Sequence, residues 1–173
     1  MILSHYNGSA EWAFEARGYV QDDPFGDTIG KPVGLWLSID GPDDWPSWCS
    51  SESHGVERLA YRHAFEMTEP ERVLHLSNPG AVEGLSERFP VIGQREYSFA
   101  MISWRDIARE YAGIIIAPYQ WQCRLEHRTR WYYSWDCASG CVWDLSAIRY
   151  VGSEPFDVGA YIKRIEAEAE HAV

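Results

Sequence analysis

In GLWLSI, residues 34 to 39, Leu35, Leu37 and Ile39 alternate with Trp36 and Ser38. A period of two predicts a strand, with the aliphatic residues on one face and Trp36 and Ser38 on the other. ILSHYN reads as an earlier short strand, closed by the turn pair Asn7-Gly8. RHAFEMT and ERVLHL read as two more, separated by Glu69-Pro70, and AGIIIAPY as a buried strand rich in β-branched residues. WYYSWD and GCVWDL are expected to pair across a tight Cys-Ala-Ser turn. Helical spacing is rarer. Residues 9 to 17 suit a short helix with Ser9 as N-cap. SWRDIAREY pairs Ser103 with Asp106 in a Ser-x-x-acid capping pattern. From 157 to 173, Val158, Tyr161, Ile162 and Ile165 form one stripe of an amphipathic helix capped by Asp157. QDDPFGDTIGKP and DGPDDWPSWCSSESHG read as polar loops, and residues 71 to 102 carry the weakest pattern. Many short strands with few helices predict an α+β fold, as one domain over 1–173.

Composition narrows the chemistry. At 173 residues and 46% hydrophobic, the chain can bury a core of its own. Its formal charge of −11 disfavours direct nucleic-acid binding, which needs a basic footprint to release counterions. Arg124, Arg128 and Arg130 are the densest cationic cluster, with Glu126 among them. There is no run of eighteen apolar residues and no basic n-region at the N-terminus, so no membrane span or secretory signal is expected and the location expected is cytoplasmic. Cys49, Cys123, Cys137 and Cys141 are therefore expected as reduced, buried thiols. Their spacing fits no common zinc signature, the histidines give no HExxH, and no metal is predicted. Phosphate-binding glycine loops and the GxSxG elbow are missing too, and neither Ser38 nor Cys49 sits in a nucleophile motif. Asp136 with Asp144 is a possible carboxylate pair, but nothing in the spacing selects it.

Three features remain. Nine tryptophans are many for this length, and Trp36, Trp45 and Trp48 fall in or beside loops. There a flat ring either stacks on a planar ligand or covers a core edge. His5 ends a strand beside a polar turn, where a histidine is either a satisfied structural residue or faces a cleft. Asp136 lies in WYYSWDCASGCVWD and is either the first residue of an Asx-turn or a chemical acid.

In chain order, SHYNG, KPVGLWLSID and EYAGIIIAPY followed by WDCASGCVWDLSAI resemble the ADP-ribosyltransferase fold, in particular its small divergent members, many of them phage-encoded. The resemblance implies split, mostly antiparallel sheets around a central cleft that binds NAD as substrate. It implies that His5 hydrogen-bonds a ribose hydroxyl, that Tyr6 and Asn7 shape the adjacent wall, and that Trp36 or Ser38 lines the nicotinamide-ribose side. Asp136 would be the acid, with Trp131, Tyr133 and Trp135 as walls, stabilising the oxocarbenium-like ribose formed when the nicotinamide bond breaks. The family's usual acid is a Glu immediately before a strand like CVW, where this chain has Ser139 and Gly140. The acceptor implied is a protein first, with a nucleic-acid base, a small molecule or water as the other classes.

A second reading comes from charge alone. Asp22-Asp23, Asp43-Asp44 and Glu166/Glu168/Glu170 could form the contact face of a non-enzymatic acidic interaction protein that blocks a partner. The two readings differ in geometry. Catalysis requires His5, Trp36 or Ser38, and Asp136 to meet at one pocket, whereas mimicry requires exposed acids across one face.

Overall fold

The computed structural model describes residues 2–12, 14–22, 30–91 and 101–171, with the backbone alone at 2 and 169–171. The fold is α+β. One seven-stranded sheet runs through it, formed by β1 (Ile2–Asn7), β2 (Leu35–Ile39), β3 (Tyr61–Met67), β4 (Val73–Leu76), β5 (Gly113–Ile116), β6 (Ser139–Val142) and β7 (Ile148–Pro155). The order is β4-β5-β6-β2-β1-β3-β7, antiparallel except for the parallel β4–β5 pair. Among the described residues there are four α-helices: α1 (Trp45–Ser51), α2 (Pro79–Arg88), α3 (Trp104–Glu110) and α4 (Val158–His171). No helix among the described residues is long and apolar enough to cross a membrane.

The expectation of split sheets is corrected to one continuous sheet, because β1 and β2 are joined at Leu3↔Ile39 and Ser4↔Ser38. That junction is short. β1 pairs with β3 over six residues, from Ile2↔Glu66 to Asn7↔Tyr61, but with β2 over only these two. Beyond Ser4 the central strands part, and His5 bridges the gap by a side-chain bond to the Trp36 carbonyl, 2.9 Å.

The alternation in β2 places Leu35, Leu37 and Ile39 in the main core on the face shared by Leu3, Phe65 and Ile115. Close approach at the sheet centre depends on glycine. A Cβ at Gly140 would stand 2.8 Å from the Ile114 carbonyl oxygen, so β6 and β5 meet there with no room for a side chain.

Several local expectations are overturned. No helix forms among the described residues of 9–17; instead Asn7 accepts from Ser9 N at 2.8 Å and Ser9 Oγ from Glu11 N at 3.1 Å, two turn bonds that compete with helix. The WYYSWD strand does not exist: 127–134 form 3₁₀ turns. Trp131, Tyr132 and Trp135 point into the core, each at most 2% exposed, so their burial sets the local path. There is accordingly no hairpin, and β6 pairs with β2 and β5. Residues 45–51, read as loop, are a helix: Asp44 caps it through Ser47 N at 2.9 Å, and Pro46 suits the first turn. α2 has the same signature in Asn78-Pro79.

α4 packs over α1, with Tyr161 buried and its hydroxyl donating to Asp44. Burial and the Asp44 carboxylate push the Tyr161 phenol up, so it remains a donor throughout the physiological range. Tyr161→Phe should cost about 1.5–3 kcal/mol, the range for a hydrogen bond to a charged group, and speed amide exchange in 45–51. Denaturant melts and hydrogen exchange check both.

Candidate functional site

A cleft of about 520 Å³ opens on the sheet face carrying Tyr6, Trp36 and Ser139, where β1 and β2 part. α1 supplies the opposite wall with Trp45, Trp48 and Cys49, held against the sheet by the bond from Trp45 N to Ser38 Oγ, 3.0 Å. The loop after α1 brings His54 and Arg58 to the rim, Lys31 enters ahead of β2, and Asp136 stands just before β6.

The predicted site residues are brought together unequally. Tyr6, Asn7, Trp36 and Asp136 all line the cleft. Ser38 does not: it is fully buried and spent on anchoring α1. His5 sits behind the wall, its ring 4.6 Å from that of Trp12 and 5.7 Å from that of Trp45. A carbonyl only accepts, so His5 Nδ1 carries the proton toward Trp36 O and Nε2 is left as an acceptor. His5 does not line the cleft, so the predicted contact with a ribose hydroxyl is not formed from its wall. Asn7 is fixed by buried His63, whose Nε2 lies 3.0 Å from Asn7 Oδ1 and 2.9 Å from Ser9 O.

Burial, more than any neighbour, lowers the His5 pKa from its ordinary 6.5. A histidine whose folded pKa lies below the unfolded one adds stability above the unfolded value and loses it as pH falls through that window. Melting temperature should therefore drop as pH is lowered from 7.5 through 6.5, and His5→Asn should remove its share of the drop. Paired thermal melts across that range measure it.

Asp136 makes no Asx-turn. Ala138 N, which would close one, donates to Asp43 O at 2.7 Å. The Asp136 carboxylate instead faces two cations, Lys31 Nζ at 3.9 Å and Arg124 at 3.5 Å. Lys31 also lies over the Trp36 ring, 5.0 Å from its centroid. Arg128 and Arg130 are placed otherwise, Arg128 3.9 Å from Glu87 and Arg130 over Tyr133.

The aromatic walls are Trp36, Trp45 and Trp48, with Tyr6 beside them, in place of the predicted Trp131, Tyr133 and Trp135. Trp135 lies one layer deeper, edge-on beneath Trp36 at 4.8 Å, and Tyr133 is 45% exposed. Cys49 and Cys137 also reach the cleft, but burial raises both thiols, that of Cys137 to about 12, so neither offers a thiolate near neutral pH. All four cysteines are buried and none forms a disulfide. Asp144 is remote from Asp136 in role: it accepts from the Ser146 hydroxyl at 2.7 Å and from Ser146 N at 3.1 Å and pairs with Arg72, and these bonds, the hydroxyl's foremost, hold its carboxyl below the usual range.

Trp45 and Trp48, which the sequence offers as ligand-stacking or core-edge rings, line the cleft from α1, a helix where the sequence suggests loop; Lys31, His54 and Arg58 lay outside sequence reasoning. Only α1 had a readable signal, Asp44 two residues before Pro46. No family model, curated protein or solved structure matches the chain.

Proposed function

We propose that the protein binds NAD in this cleft and transfers its ADP-ribose to an acceptor. One observation carries the reading: β1, β2 and β6 are neighbours at the sheet centre, and Tyr6, Trp36 and Asp136 from these strands and their approaches border one cleft. Charge supports it. Although the chain carries −11, the ionisable groups along the cleft include Lys31, Arg58 and His54, with Asp136 the acid. Flat walls with cationic edges suit a ligand that joins planar rings to phosphates.

In the reaction, the bond between C1′ of the nicotinamide ribose and the ring nitrogen breaks. Nicotinamide leaves neutral with the bonding electrons, and the ribose takes up positive charge at C1′. The Asp136 carboxylate stabilises that charge, more strongly between tryptophan walls than in water. An acceptor oxygen or nitrogen then bonds to C1′, and its proton passes to Asp136 or to solvent. His5 acts from behind the wall, holding β2 through the carbonyl of Trp36, whose ring lines the cleft.

The acidic interaction reading gains less. Asp44 is fully buried, Asp43 accepts from Trp121 Nε1 at 3.3 Å, and Glu168 pairs with Arg164 at 2.7 Å. Asp23 and the Glu170 side chain lie outside the described residues.

Calorimetric titration with NAD tests the proposal. The wild type should bind, and Trp48→Leu should weaken binding about tenfold, since stacking a base on an aromatic ring is worth roughly 1–3 kcal/mol. No binding, or equal binding by both proteins, would refute it.

A further inference from the structure

The grouping of Lys31, Arg124 and Asp136 has a consequence of its own. Two cations converge on one carboxylate, at 3.9 and 3.5 Å, and the three side chains are between 21% and 34% exposed. Both separations exceed the 2.7–2.9 Å of a charge-assisted hydrogen bond. The three charges sum to one net positive. Lys31 and Asp136 both line the cleft.

We infer that Lys31 and Arg124 form an anion site for the phosphate or diphosphate of the ligand, and that Asp136 is the internal anion which that group displaces. The inference rests on the NAD reading for the identity of the full ligand, though the site itself needs only a phosphate. A phosphate oxygen at this point takes over the contacts that the carboxylate now holds, at shorter range and with more acceptors. Asp136 is then released toward the neighbouring sugar, so binding of the phosphates and readiness of the acid are coupled. In the unliganded protein the two cations mask the acid, which suppresses chemistry on ligands that lack phosphate.

The coupling makes an unusual prediction for ADP, a probe with the phosphates and no nicotinamide. Lys31→Met and Arg124→Met should each weaken ADP binding about tenfold, the cost of a charge-assisted contact. Asp136→Asn should tighten it about fivefold, because a competing charge roughly 4 Å from the site is removed. A residue that simply contacted the ligand would move affinity the other way. Calorimetric titration of ADP into the wild type and the three variants decides the matter. Equal ADP affinity in the wild type, Lys31→Met and Arg124→Met overturns the inference, as does unchanged or weaker binding by Asp136→Asn. If the ADP pattern holds while the wild type leaves NAD uncleaved, the anion site stands and the transferase reading falls. If nicotinamide is released but ADP affinity ignores Lys31 and Arg124, the reverse is true.

Discussion

Asp136→Asn is expected to release nicotinamide from NAD at least ~100-fold more slowly than the wild type while still binding the dinucleotide, the scale seen when one preorganised electrostatic group is removed from a charged transition state. The substitution keeps the shape of the side chain and removes its charge. Asp136 supports little else in the fold: it caps no turn, and its partners are the two largely buried cations Lys31 and Arg124. A loss of rate with retained binding therefore reports chemistry. A variant that bound NAD and turned it over at the wild-type rate would remove Asp136 from the mechanism, leaving the cleft as a binding site. Chromatographic quantification of nicotinamide, beside calorimetry, separates these results.

The largest effect on stability is expected from Trp104→Ala. Trp104 is fully buried on α3, and its ring meets Trp131 edge-on at 5.5 Å, with Trp135 and Trp143 each 6.4 Å away. Its indole Nε1 donates to Gly30 O at 2.9 Å, tying the start of the Lys31 segment to the core. Truncation opens a cavity among the other tryptophans and strands that carbonyl, with an expected loss of about 3–5 kcal/mol. For a chain of this length that lowers the melting temperature by roughly 10–15 °C. Because Gly30 precedes Lys31, NAD affinity should fall as well. A variant melting within a few degrees of the wild type would contradict this account of the core.

The sequence was legible where periodicity and burial agree. β2 and β5 follow from alternation and from a β-branched run, and α3 and α4 from a cap followed by an apolar stripe. It misled where aromatic residues stood in for strand pattern. WYYSWD has the composition of a strand, yet Trp131, Tyr132 and Trp135 fill a core pocket from 3₁₀ turns, because tertiary burial outweighs local β preference there. The turn after Asn7 forms as its sequence suggests, but Ser9 closes a further local turn in place of capping a helix, whereas Asp44 opens a helix where the sequence suggests loop.

The candidate site was half legible. Tyr6, Trp36 and Asp136 are residues that the family resemblance picks out, and they share one cleft. Ser38 was set on the correct face, but its hydroxyl is taken by Trp45 N. Strand alternation gives a face and does not say which neighbour will claim it. Trp45 and Trp48 stand out in the sequence as rings beside loops, but Lys31 reaches the site through long-range packing, which no local window contains.

ADP-ribosyl transfer in the cleft is tested most directly by nicotinamide release from NAD by the purified protein. Free nicotinamide should appear in amounts matching the NAD consumed, and Asp136→Asn should largely abolish its release. NAD left intact by folded wild-type protein, or cleaved as fast by Asp136→Asn, would contradict this reading.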